Sequence, residues 1–342
     1  MTQAPFLELV ICTYNNAGLL EQVLDAIAQQ QVPSSSNWGV LIVNNNCTDT
    51  TETIVNRAIQ AGQIPQLRMV NEPRQGLTPA RLCGIQHTTA PWVAFIDDDC
   101  VLQPDWVAEA IAFATQHPTC GGFGGRVTLA WQTPPPPYVL DFTYSFAEQN
   151  HGDAVQPVDC LVGAGMVINR AALVAVGWTE HQFLADRIGK QLVSGGDVEI
   201  GLRLAAHYDL WYVPACEILH QIPNHRTTYP YLLRINYGLG TCKLLSDALC
   251  WEKSYLTWIG ASLQQIWLNI RYAVFLGLQA SLQGTSLRPA AITFTFWRGY
   301  GISLWQVIWM PSGERERLLG GFTKLSSTHL PAPLSQESAL CQ

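Results

Sequence analysis

The chain has 342 residues, 48% apolar and only 13% charged, which is about half the usual charged share. That length can bury a substantial core in one large or two ordinary domains, and the composition excludes a disordered chain, a coiled coil and a collagen-like repeat. A net charge of −7 argues against a general nucleic-acid binder, yet residues 1–225 carry 9 basic and 21 acidic groups while residues 226–342 carry 10 and 5.

The first hundred residues read as repeated strand–helix units. Leu7–Cys12 is an apolar run ending in Thr13-Tyr14-Asn15-Asn16, as a buried strand entering a loop would be. Leu19, Leu20, Val23, Leu24 and Ile27 form a helical stripe. Val40–Val43 predicts a second strand, followed by Asn44-Asn45-Asn46, and Asp49 with Glu52 predicts a capping box opening a helix to about Ala61. A third strand covers Leu67–Val70, and Thr78-Pro79 predicts a hydroxyl cap and first-turn proline for a helix through His87. Trp92–Ile96 is a fourth strand that stops at Asp97-Asp98-Asp99. This alternation predicts an α/β fold with a mainly parallel sheet covered by helices on both faces. Ligands of such sheets bind beyond the carboxyl ends of the strands, where Tyr14, Asn44 and the aspartates fall.

Farther on, Pro134–Pro137 predicts a loop, and Gly163-Ala164-Gly165 precedes a strand at Met166–Ile168. Gly195-Gly196-Asp197-Val198-Glu199 opens a helix. Leu210–Val213 and Ile218–Leu219 predict short strands, the second ending at His220. From Tyr229 the pattern changes to long Trp- and Leu-rich helices at Tyr229–Leu249, Tyr255–Leu282 and about Ala290–Trp309. Leu256–Leu278 has the length of a bilayer span, but Gln264, Gln265, Asn269 and Arg271 at its centre make a span expensive. Helices lying on a membrane or packed on the first domain fit better. The resulting division is a catalytic domain at 1–225, an amphipathic helical region at 226–325 and a disordered tail at 326–342.

The ten cysteines never occur as Cys-x-x-Cys, which predicts buried free thiols in a reducing compartment. Met1–Phe6 has neither a basic start nor a long apolar run, so no secretory signal is expected. The expected location is cytoplasmic, with the inner face of the cell membrane as a peripheral site.

Three aspartates closing a buried strand would repel one another and protonate unless a cation compensates them. A divalent ion held by carboxylates and phosphate oxygens is the usual solution; the alternative is a cluster at a helix start before Pro104-Asp105. Asp197, with Glu199 two residues on, has the chemistry of a general base toward an acceptor hydroxyl, or of simple capping. His220 could ligate a metal or touch a diphosphate, with His225, Arg226 and Arg234 neutralising a leaving group, or these could be ordinary surface and core residues. Arg74 and Arg81 carry the same two readings. The chain contains no Gly-x-Gly-x-x-Gly after its first strand, no Gly-x-x-x-x-Gly-Lys-Ser/Thr loop and no Gly-x-Ser-x-Gly elbow.

Val10-Ile11-Cys12-Thr13-Tyr14-Asn15, Val43–Asp49, Gln75-Gly76-Leu77 with Ala80-Arg81, Phe95–Asp99 and Gly196–Glu199 occur in the order seen in family 2 glycosyltransferases, which residues 6–225 resemble. The C-terminal pattern also resembles cyanobacterial polysaccharide-assembly members, the hormogonium polysaccharide type among them. The resemblance implies a GT-A fold, a nucleotide-sugar donor (most often a UDP-sugar) and inversion at the anomeric carbon. It implies that Tyr14 stacks on the base, Asn44 faces the base edge, and Asp97 or Asp98 holds the ribose. It further implies that Asp99, with His220, coordinates Mg²⁺ or Mn²⁺ on the diphosphate, and that Asp197 is the base. Cys12, Arg81, Glu199 and Arg226 fall in the implied donor-binding set. The implied acceptor is a glycan or a lipid-linked sugar, with peripheral membrane contact through the C-terminal helices and no nucleic acid. This chain departs from the family at Asn44, where Asp is usual, and at Gly196, where Glu is frequent. Alternatives are a nucleotidyltransferase and a catalytically silent sugar-nucleotide- or glycan-binding subunit.

Overall fold

The computed structural model describes residues 4–184, 186–187 and 192–322; the expected tail at 326–342 lies outside them. The chain begins β1 (Leu7–Thr13), α1 (Ala17–Ala28), β2 (Trp38–Asn44), α2 (Thr51–Ala61), β3 (Arg68–Asn71), α3 (Leu77–Gln86) and β4 (Trp92–Asp97). It continues with β5 (Cys100–Leu102), α4 (Trp106–Gln116), β6 (Gly122–Gly124), β7 (Val127–Trp131), β8 (Gln156–Val158), β9 (Met166–Asn169) and α5 (Arg170–Ala175). Then follow α6 (Gly196–Ala205), β10 (Leu210–Tyr212), β11 (Ile218–Ile222), α7 (Tyr229–Leu249), α8 (Tyr255–Gln283), α9 (Arg288–Ile308) and α10 (Ser312–Leu318).

Eight strands form one sheet in the order β3-β2-β1-β4-β9-β6-β10-β8. The first four of these run parallel, and β9 runs antiparallel to both of its neighbours. The strands of this parallel half are apolar at nearly every position because both faces are covered. Leu7, Leu9 and Ile11 join Val40, Ile42, Ala94 and Ile96 under α1, α2 and α4. Val10, Leu41, Val43, Val93 and Phe95 face α3, α5 and α6. The fold is the α/β arrangement expected.

A small second sheet, β5-β11-β7, positions His220. β11 runs antiparallel to β5 with His220 opposite Cys100, and parallel to β7. Ile218, His220 and Ile222 alternate inward and are buried, so the side chain of His220 is delivered beside Asp99.

Several local expectations are corrected. The box between Asp49 and Glu52 is replaced by a bridge: Asp49 accepts from the Thr51 N–H (3.1 Å) and hydroxyl (2.6 Å), and its other oxygen accepts from the Ala17 N–H at 3.0 Å. One carboxylate therefore serves the starts of both α1 and α2. Thr78 does not cap α3; Gly76, with φ +134°, is the cap, and the Thr78 hydroxyl is buried inside the first turn. The proline run is loop only to Pro136, since Pro137–Phe146 is a 3-10 segment. Among the described cysteines, all unpaired, Cys160 and Cys250 are exposed rather than buried.

α9 packs between α7 and α8. At the α7–α9 crossing a β-carbon on Gly240 would lie 1.9 Å from the Phe296 carbonyl oxygen, and one on Gly299 would lie 2.2 Å from the Tyr237 carbonyl oxygen. Backbone therefore meets backbone there. α8 is about 44 Å long at 1.5 Å per residue, yet no described helix is long and apolar enough to cross a membrane.

Candidate active site

The carboxyl ends of β1, β2 and β3 carry loops that stitch together through asparagines. Asn45 donates to the Glu72 and Arg74 carbonyls (2.9 and 2.7 Å) and accepts from the Gly76 N–H at 2.8 Å. Asn15 accepts from the Thr48 N–H at 2.7 Å, and Asn46 donates to the Pro73 carbonyl at 2.8 Å. Both adopt positive φ, which asparagine tolerates better than most side chains. Tyr14 stands exposed at this edge, free to stack on a planar ring. Asn44, expected at the base edge, is buried at the end of β2, and its amide oxygen accepts from the Cys47 N–H at 2.9 Å. Cys12 also serves packing; it borders the core beneath α3, and burial pushes its thiol far above the usual range.

The three aspartates diverge. Asp97 is partly exposed and lies 3.9 Å from the Arg81 guanidinium. Asp98 accepts from the Asn16 amide at 2.7 Å. Burial, reinforced by the neighbouring Asp99 charge, pushes the Asp98 carboxyl above the usual range. Asp99 is buried too, which by itself would raise it, but His220 and Arg226 outweigh burial and hold it well below. Arg226 donates to Asp99 Oδ2 at 2.8 Å, and His220 Nε2 lies 3.4 Å from Oδ1.

The fit to a divalent ion can be judged from this donor set. Asp99, Cys100 and His220 bring ligand atoms within 4.8 Å of one another. His220 Nδ1 lies 2.7 Å from the Phe146 carbonyl, which can only accept, so Nδ1 carries the proton. In the neutral ring that leaves the Nε2 lone pair facing Asp99, the orientation a metal-ligating histidine takes. Burial and the adjacent carboxylates raise the Cys100 thiol, so it is protonated at neutral pH and is the weakest of the three donors. Carboxylate plus imidazole fits a divalent cation.

Asp197 lies in the first turn of α6. Its carboxylate accepts from the Val198 N–H at 2.9 Å and the Gly163 N–H at 3.1 Å, so it points toward the loop that precedes β9. Glu199, expected in the donor site, is instead fully buried. It accepts from the Phe183 and Leu184 N–H groups and pairs with Arg203 at 2.6 Å. Positions two apart on a helix face different sides, so Asp197 and Glu199 cannot share one site. His225 is exposed beyond β11, Arg234 sits on the exposed side of α7, and Arg74 pairs with Glu72 at 2.8 Å. Arg74 is thus held by Glu72 rather than by the aspartate cluster.

Arg81 joins the two halves. Its guanidinium is 3% exposed, lies 5.4 Å over the Phe95 ring and pairs with Asp186 at 3.3 Å. Asp186 was not singled out from sequence. It is buried, and that burial pushes its carboxyl up to about 6 even against the Arg81 charge. Its segment lacks periodicity, so only the fold reveals it.

Comparison with known proteins decides the family. Residues 8–173 match the model of glycosyl transferase family 2. Those residues, just under half of the chain, form a family 2 glycosyltransferase domain. The glycosyltransferase AglE of Haloferax volcanii is 27% identical to it over 200 residues, 57% of this chain and 59% of that protein. The glucosyl-dolichyl phosphate glucuronosyltransferase of the same organism is 22% identical over 250 residues, 70% of this chain and 77% of that one. The chain thus spans under two thirds of AglE's length. In fold it resembles the mannosyltransferase PcManGT from Pyrobaculum calidifontis, with TM-score 0.58 and 20% identity over 89% of this chain and 88% of that one. The glycosyltransferase has the GT-A fold.

Proposed function

We propose that this glycosyltransferase is inverting and metal-dependent, moving a sugar from a nucleoside diphosphate donor to a hydroxyl of a glycan or lipid-linked acceptor in polysaccharide assembly. The observation that carries this reading is the buried Asp99–His220 pair at the strand edge, with the Asp197 carboxylate set apart across Arg81. The division into a catalytic domain at 1–225 and a helical region at 226–325 belongs to the same proposal.

Asp99 and His220 would hold the ion, and the ion would supply neutralising charge to the departing diphosphate. An imidazole ligand favours Mn²⁺ over Mg²⁺, which prefers oxygen alone. Asp197 takes the proton from the acceptor hydroxyl while that oxygen bonds to the anomeric carbon. The carbon–oxygen bond to the diphosphate breaks on the opposite face, leaving with its electron pair, so configuration inverts. Arg226 is near enough to Asp99 to meet the same leaving charge. Tyr14 receives the base. UDP-sugars are the donors implied by the sequence resemblance, and PcManGT, bound to GDP-mannose and Mn²⁺, supports screening GDP-sugars beside them. The dolichyl phosphate in the Haloferax relative's name supports a lipid-linked acceptor.

With Mn²⁺, donor and acceptor, the protein is expected to release nucleoside diphosphate and to give a glycoside of inverted anomeric configuration, read by proton NMR. Pyrophosphate release would indicate a nucleotidyltransferase, and donor binding without turnover a silent subunit.

Membrane contact is assigned to α8. Trp258, Ser262, Ala273 and Ala280 are its buried positions. Its opposite side exposes Leu263, Trp267, Val274, Leu278 and Leu282, the last at 89%. Residues 255–309 contain Arg271, Arg288 and Arg298 and no acidic residue, and Arg271 stacks on Trp267 at 4.4 Å. An apolar stripe within a purely cationic hairpin complements an anionic bilayer surface. The protein is expected to sediment with phosphatidylglycerol-containing vesicles, less so at high salt. Trp267→Glu with Leu278→Glu should weaken partition about a hundredfold, for ~3 kcal/mol of lost burial. If the wild type ignores vesicles, or the double variant merely converts a dimer to a monomer, the bilayer is not the partner.

A further inference from the structure

Gly196 is the first residue of α6 and directly precedes Asp197. A β-carbon there would lie 2.2 Å from Asp186 Oδ2 and 3.4 Å from Arg81 Nη1. The space a side chain at 196 would enter is therefore filled by a carboxylate brought in from the preceding loop. Asp186 also turns its other oxygen to the Arg187 N–H at 2.9 Å, so both oxygens are engaged. Arg81 is its charged partner, and Asp97 and Asp197 lie within electrostatic reach of the same guanidinium.

One buried cation thus faces three carboxylates. An arginine paired with a carboxylate favours its ionised form and makes it a poorer proton acceptor. If Asp186 were missing, Arg81 would be shared between Asp97, 3.9 Å away, and Asp197 on α6, and its added pull on Asp197 would draw that carboxylate from the acceptor. We propose that Asp186 is a positioning residue for the transfer reaction: from the loop ahead of α6 it supplies the carboxylate that residue 196 lacks, holds Arg81, and leaves Asp197 free. This rests on Asp197 being the base.

The test relocates the carboxylate. Asp186→Asn, which keeps the volume, should lower kcat of the folded protein about 100-fold and leave the donor KM within about threefold, with a lowered melting temperature because a buried pair is broken from one side. Gly196→Asp alone should also lose activity, because two carboxylates would crowd one slot. The double variant Asp186→Gly/Gly196→Asp should recover kcat to within about tenfold of wild type. Normal kcat in Asp186→Asn overturns the proposal. So does a folded double variant no more active than Asp186→Gly alone. Should Asp186→Gly unfold, rescue of its folding without rescue of kcat in the double variant also counts against it. Asp197→Asn is assayed alongside: if it turns over normally the base assignment itself fails, whereas a dead Asp197→Asn beside a normal Asp186→Asn sinks only the present inference.

Discussion

Asp197→Asn is expected to lower kcat about 1000-fold while leaving donor affinity within about threefold. The reason lies in what the substitution retains. Asparagine keeps the size of the side chain and an oxygen able to accept from the Val198 or Gly163 N–H, so α6 should start as before. It cannot take a proton. The proposed donor site, centred on Asp99 and Tyr14, is built from other elements, so binding of a nucleoside diphosphate with Mn²⁺, measured by titration calorimetry, should survive. Weakened donor binding with normal turnover would contradict the assignment.

Asp99→Asn should act on both stability and binding. Arg226 loses the carboxylate it meets at 2.8 Å and stays largely buried without it. Breaking such a pair from one side costs ~3 kcal/mol, to be read from denaturant unfolding of the metal-free protein. Asp99 is held below its unfolded value, so its contribution is full above about pH 4 and fades as the pH falls through the depressed folded value. The gap between wild type and variant should therefore narrow in acid. In the presence of Mn²⁺, donor binding should weaken by about 100-fold or more, and activity should no longer respond to chelator. A variant that binds Mn²⁺-donor as tightly as wild type would remove Asp99 from the metal site.

Much of the front half was legible because buried parallel strands leave long apolar runs with polar ends, as at Leu7–Thr13 and Trp92–Asp97. The short strands β5, β6 and β8 were not. With three residues each, they carry no periodic signal and exist only because partners distant in sequence pair with them. His220 could be suspected as a ligand from its place after an apolar pair, but its meeting with Asp99 depends on the β5–β11 register. Glu199 shows the opposite failure. The Gly-Asp-x-Glu pattern suggested two site carboxylates, whereas helical geometry sends the second inward to Arg203. Asp186 and Gly196 form a compensating pair that only coordinates expose.

The glycine crossing has a consequence for which acceptors can react. α7 starts three residues after Arg226, and about 17 Å along it Gly240 is pressed against α9 with no side chain between to give way. Were α8 to rest on lipid as proposed, this strut would set the height of the aspartate cluster above the headgroups. A lipid-linked acceptor of the proposed kind would then have to project its hydroxyl to that height, and one with too short a stalk would be a poor substrate.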